Sequence, residues 1–117
     1  MSVTTQVPRE RLAEHFDEYT KRFLRNGSPE IVDVEVLEPD LGDQSAVEGA
    51  RLLGITYDAR DDALEFELDS GTHRVEAPKE VWTVEEQDGV ISAIEVVCSD
   101  GSRQVVSIKR VGLRKID

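Results

Sequence analysis

Spaced carboxylates on a loop are how proteins offer oxygen ligands to hard cations, and Glu38, Asp40 and Asp43 share such a loop with Gly42. Asp58, Asp61 and Asp62 form a second cluster before residue 63. Calcium takes roughly six to eight oxygens, and neither cluster has the Asp-x-Asp-x-Asp-Gly ladder that supplies them. In a chain this acidic, solvated turns explain both. Glu38, Asp40 and Asp43 are therefore weak metal candidates, and no metal or other cofactor is expected.

The remaining chemistry-bearing residues are few. His15 and His73 are the only histidines and Cys98 is the only cysteine, so zinc lacks both a His-x-x-x-His and a Cys-x-x-Cys spacing. Serine stands in no Gly-x-Ser-x-Gly elbow. Cys98 ends an apolar run and reads as a buried filler rather than a nucleophile. Glu65 and Glu67 share a strand face, but paired carboxylates hydrolyse glycosides only in a cleft. Gly49 and Gly54 with Arg51 between them make neither a Walker nor a Rossmann loop. Catalytic residues are thus not expected. For binding, Trp82 is a large side chain suited to stacking or docking, although a core position suits it better. With Tyr57, and with Arg51 as an anion contact, it could line the concave face of a sheet.

Composition narrows the partners. The chain has 117 residues, 38% apolar and 33% charged, which suits one folded domain rather than a disordered segment. Its 25 acidic against 14 basic residues give a net charge of −11, which repels a phosphate backbone; nucleic acid is not an expected partner. No apolar run approaches the ~20 residues that cross a bilayer, and the first residues lack a secretory pattern, so a membrane partner is not expected either. One cysteine and no internal disulfide suit a reducing cytoplasm. The acidic excess is dispersed and Lys-poor, a surface suited to high salt, where self-repulsion is screened. A melting temperature that rises with added KCl is the expected result; a flat or falling one would exclude a halophilic adaptation.

Elements to position these residues are legible. Pro8 opens a helix over 8–26 with Leu12, Phe16, Tyr19 and Phe23 on one stripe, and Asn26-Gly27-Ser28-Pro29 stops it. The stripe either packs on a sheet or presents aromatics to a partner; the strands that follow need a cover, which favours packing. Residues 1–6 are expected to be frayed, and 112–117 to form a frayed tail. Antiparallel strands are expected over 31–110: 31–37, 44–50, 53–58, 63–69, a strand ending at Ala77, 81–86, 90–98 and 103–109. Gly-containing turns at 69–72, 87–90 and 99–102 punctuate them. With Ser70-Gly71 as the loop, Phe66 faces Val75, Glu67 faces Arg74, and Glu65 meets Glu76 unfavourably. Apolar residues on both faces of 90–98 mark either a central strand covered on both sides or a position inside a closed or strongly curled sheet.

Val7-Pro8-Arg9-Glu10 and Phe16-Asp17, followed by Val34-Glu35-Val36-Leu37, Asp40-Leu41-Gly42-Asp43-Gln44 and Leu52-Leu53-Gly54-Ile55, resemble a small bacterial family, the domain-of-unknown-function 5335 family. The resemblance covers most of the chain. It implies a helix-plus-sheet domain and transfers no catalytic residue. The expected architecture is α+β, one N-terminal amphipathic helix on a curved antiparallel meander of about six or seven strands, either open or closed towards a barrel. The expected function is a non-enzymatic binding or protein-interaction module, self-association at strand edges included; the alternative is a small-molecule carrier or minor enzyme using the concave face.

Overall fold

The apolar stripe of the N-terminal helix is what fixes it to the sheet. The computed structural model describes residues 2–24, 30–38, 40, 42–87 and 89–110, with Arg110 described by its backbone alone. A 3-10 turn (Arg9–Arg11) leads into α1 (Leu12–Tyr19), and a π-helical turn (Thr20–Leu24) follows. Leu12, Phe16 and Tyr19 are buried, and Phe23 packs against the same core. The opposite side carries an Asp17–Lys21 ion pair at 3.1 Å, in the acid-first order that favours a helix. Helical structure therefore begins one residue after Pro8, and the expected stop at 26–29 lies outside the described residues.

Eight strands form one antiparallel sheet: β1 (Val3–Val7), β2 (Glu30–Glu38), β3 (Gly42–Asp58), β4 (Ala63–Leu68), β5 (Gly71–Glu76), β6 (Pro78–Glu85), β7 (Ile91–Cys98) and β8 (Arg103–Arg110). Their spatial order is β1-β6-β7-β8-β2-β3-β4-β5, so β1 and β5 are the two edges and the sheet does not close into a barrel. The α+β expectation holds, with more strands than anticipated.

Four differences from the sequence reading have local causes. Residues 3–6, expected to be frayed, pair with Val7 along β6 from Val3↔Glu85 to Val7↔Val81; β-branched Val3, Thr4, Thr5 and Val7 suit a strand. The segments 44–50 and 53–58 are one strand of 17 residues, because bulges absorb the irregular stretches that resemble breaks. At one bulge Gly49 takes φ +67° and its N–H donates to Asp33 Oδ1 at 2.8 Å. The β4–β5 hairpin turns at Asp69-Ser70, with Gly71 at φ +134° already in the ladder. Glu65 then faces Arg74 and Phe66 faces His73, which removes the Glu65–Glu76 clash and gives Arg74 ion pairs to Glu65, Asp61 and Glu76. Finally, a bulge between Val84 and Glu85 brings Ile91 to the same face as Ile94, Val96 and Cys98, all buried, while Ala93 and Val97 behind them are half-buried. The β7 strand thus has one core face.

The chain passes from β5 to β6 through Ala77, at φ +50°, and exchanges neighbours there. Its N–H donates to the Asp62 carbonyl at 2.9 Å and its carbonyl accepts the Ser99 N–H at 3.0 Å, so both strained groups are satisfied. Pro78 follows, and the strand resumes rather than stopping. On the helix side, the Thr20 hydroxyl donates to the Ile55 carbonyl (3.1 Å) and accepts the Ile55 N–H (3.0 Å), fastening the π-helical turn to β3.

Candidate functional site

The residues singled out from sequence do not converge. Arg51 is exposed on β3, where its backbone N–H donates to Asp69 Oδ1 at 3.1 Å. Tyr57, also on β3, turns inward against the core. Trp82 on β6 alternates with core-facing Val81 and Thr83, so it lies on the other face; its Nε1 donates to Glu80 Oε1 at 3.1 Å. Glu38, Asp40 and Asp43 sit at the tip of the β2–β3 hairpin, and among the described residues no group of three or more His, Cys, Asp or Glu side chains converges to hold a metal. Cys98 is buried, and that burial pushes its thiol up from its ordinary value, away from nucleophile chemistry.

Tyr57 is committed to a structural corner. Its hydroxyl donates to Asp62 Oδ1 at 2.6 Å, and Arg9 Nη2 reaches the same oxygen at 3.2 Å while Nη1 donates to the Pro78 carbonyl. Asp62 holds φ +52°, a conformation these contacts over-determine. The Tyr57 hydrogen bond first, and Arg9 second, hold the Asp62 carboxyl below its ordinary value; the same bond raises Tyr57. Asp62 therefore adds stability above the ordinary carboxylate value of about 3.9, lost as pH falls through its lower folded value. Tyr57 adds stability below about 10, lost as pH rises through its higher folded value. Tyr57→Phe is expected to cost about 0.5–1.5 kcal/mol at neutral pH and to move the acid-unfolding midpoint upward, read by circular dichroism against pH. An unchanged acid midpoint would break the assignment.

Open space lies elsewhere, where α1 crosses β1 and β6. His15 and Glu85 stand in the walls of two clefts. The smaller, about 180 Å³, continues along the helix past Glu18 and Arg22. The larger, about 380 Å³, opens between Thr5 and Val7 of β1 and Pro8 and Arg11 of the helix start. His15 packs edge-on against Phe16 with centroids 5.0 Å apart, and its Nδ1 is buried without a hydrogen-bond partner. An imidazole between Arg11 and Glu85 can hydrogen-bond a small polar molecule, but no thiol lines either cleft to act as nucleophile.

The larger cleft borders one of the two sheet edges, and the edges differ. The β5 edge is guarded: Arg74 spans three carboxylates there, Glu76 follows, and the Ala77 kink ends the strand. Such charges and bends block strand addition. The β1 edge carries Val3, Thr4, Thr5, Gln6 and Val7, with no charge, no proline and no bulge against β6. Among the described residues no strand pairs with its outer side.

The comparisons bear on this arrangement. A model described as a family of unknown function (DUF5335) matches residues 3–113. The chain belongs to the DUF5335 family. A relative, an uncharacterized protein from Aquifex aeolicus (strain VF5), is 38% identical over 108 residues, covering 91% of this chain and 92% of that one. No solved structure matches the chain. The matched span of the DUF5335 model begins with β1, so the open edge and the cleft both fall inside it.

Sequence reasoning missed both β1 and the His15–Glu85 cleft. The first had a signal, a β-branched run ahead of Pro8, too short to outweigh the habit of fraying at chain ends. Glu85 had none, since its approach to His15 depends on the pairing of β1 with β6.

Proposed function

We propose that this DUF5335 chain is a non-enzymatic protein-interaction module that takes an extended partner segment along β1. The unequal protection of the two edges carries this reading: of two strands with unpaired backbone, one is fenced by ions and the other is bare. A net charge of −11 supports a protein partner over nucleic acid, and the free buried Cys98 suits a reducing cytoplasm.

A photo-crosslinking amino acid at Thr4, compared with the same group at Thr72 on β5, tests it in the source cells. Adducts at Thr4 and none at Thr72 are expected. No adduct at Thr4, or equal adducts at both, would overturn the reading.

A second reading, a small-molecule carrier, is supported by a cleft of about 380 Å³ that has His15, Arg11 and Glu85 in its walls. Native mass spectrometry would show a reproducible adduct that His15→Ala removes. Bare protein mass under all gentle conditions would dismiss it.

A further inference from the structure

We infer that the strand added to β1 is β1 of a second copy, paired antiparallel about Thr5, an inference that rests on the strand-addition reading above. Placing Thr5 on a two-fold axis sets Val3 against Val7 of the other copy, Thr4 against Gln6, and Thr5 against itself. Every pair is uncharged and matched in kind: apolar on apolar, hydroxyl on amide, hydroxyl on hydroxyl. A two-fold contact must be self-complementary, and this strand is.

A second, independent observation lies in the side chains. Val3 is 59% exposed, one of two exposed large hydrophobic residues among those described, whereas Val7 on the same face is 5% exposed. Alternation puts Val3, Thr5 and Val7 on the core side of β1, and the partner of Val3 across the ladder is Glu85, in the cleft wall. In the two-fold pair, Val3 of each copy comes down beside Val7 of the other, at the mouth of the larger cleft lined by Thr5, Val7 and Pro8. The exposed Val3 of each copy thereby gains an apolar contact with Val7 and Pro8 of the other, beside the polar Arg11, His15 and Glu85 of the same cleft. Because the axis is perpendicular to the sheet, both α1 helices lie on one side of a continuous sheet.

Charge bears on strength. Two copies at −11 each repel, but the five β1 residues that form the ladder are uncharged, so added salt screens the repulsion without weakening the ladder. A ladder of five residues from each copy is small beside the ~1,200–2,000 Å² of stable complexes, so the dimer is a weak one.

Sedimentation velocity on the full chain, from about 10 µM to 1 mM, should show the average mass rising from monomer towards dimer, more steeply at higher KCl. Thr4 and Gln6 are exposed, so paired substitutions there leave the core untouched. T4K/Q6K sets lysine against lysine at both crossings and should abolish the dimer, as should T4E/Q6E with glutamates. Mixing the two variants should restore association as a mixed pair. Wild type that stays monomeric to 1 mM overturns the inference, and so does a dimer indifferent to the lysines or a mixture that stays monomeric. If Thr4 crosslinking then still captures a different protein, strand addition stands and only the second copy falls; if it captures nothing, both fall.

Discussion

Phe16→Ala is expected to lower the unfolding free energy by about 3–5 kcal/mol, a large part of the 5–15 kcal/mol typical of a small domain. Phe16 is 0% exposed, and its ring sits in the middle of the α1 stripe between Leu12 and Tyr19, also buried. The loss joins the transfer energy of an aromatic side chain to the cavity left between helix and sheet. That cavity cannot collapse easily, because Thr20 fastens the next turn to Ile55 through two hydrogen bonds. Urea denaturation followed by circular dichroism measures the change, with the exposed Glu14→Ala as a control expected within about 0.5 kcal/mol of wild type. A loss under 1 kcal/mol would mean that α1 is a detachable arm. The burial of Phe16 already counts against the docking-helix reading of its stripe, since the aromatic is spent inside the chain.

That stripe shows what a single sequence makes legible. Local periodicity reports which face of α1 is buried, and Gly-containing turns report where hairpins reverse, because both are fixed within a few residues. Register is a finer matter. Ser70-Gly71 and Asp69-Ser70 are equally good loops by type, and choosing between them moves Arg74 from facing Glu67 to facing Glu65. The ion pairs of Arg74 with Asp61, Glu65 and Glu76 favour the observed choice, and they join residues of two strands and a turn.

Bulges were harder still to read. In β3 an irregular apolar pattern at 51–52 resembles a break between strands, but the strand runs on because Arg51 pairs with Ile31 and Leu52 with Leu68, with a bulge before Gly54. The candidate site was the least legible feature. Tyr57, Arg51 and Trp82 were attractive by residue type, yet strand order separates β3 from β6 by three strands, and alternation turns Tyr57 and Trp82 to opposite faces. Conversely, His15 and Glu85 meet the same clefts only because β1 lies beside β6 under the helix.

Tyr19→Phe removes one oxygen and is expected to cost about 2–4 kcal/mol, an unusually large effect for so small a change. The Tyr19 hydroxyl joins three elements: it donates to Glu30 Oε1 at 3.3 Å, where β2 begins, and accepts the Ile91 N–H at 3.1 Å, where β7 begins. Glu30 is 0% exposed, so a carboxyl that loses a donor there recovers no bulk water in exchange. The Ile91 amide loses this acceptor in the same dry environment, and each such loss carries roughly 1–3 kcal/mol. Phenylalanine preserves the packing of the ring on Phe23, at 4.8 Å between centroids, so the measured loss belongs to the hydroxyl rather than to a cavity. A double-mutant cycle with Glu30→Gln separates the two bonds: a coupling of about 0.5–3 kcal/mol assigns that share to the Tyr19–Glu30 contact, with the remainder falling to Ile91. Urea denaturation of the four proteins supplies the numbers. A Tyr19→Phe loss below 1 kcal/mol would show that the two hydroxyl bonds add little, and that the helix depends on its apolar stripe.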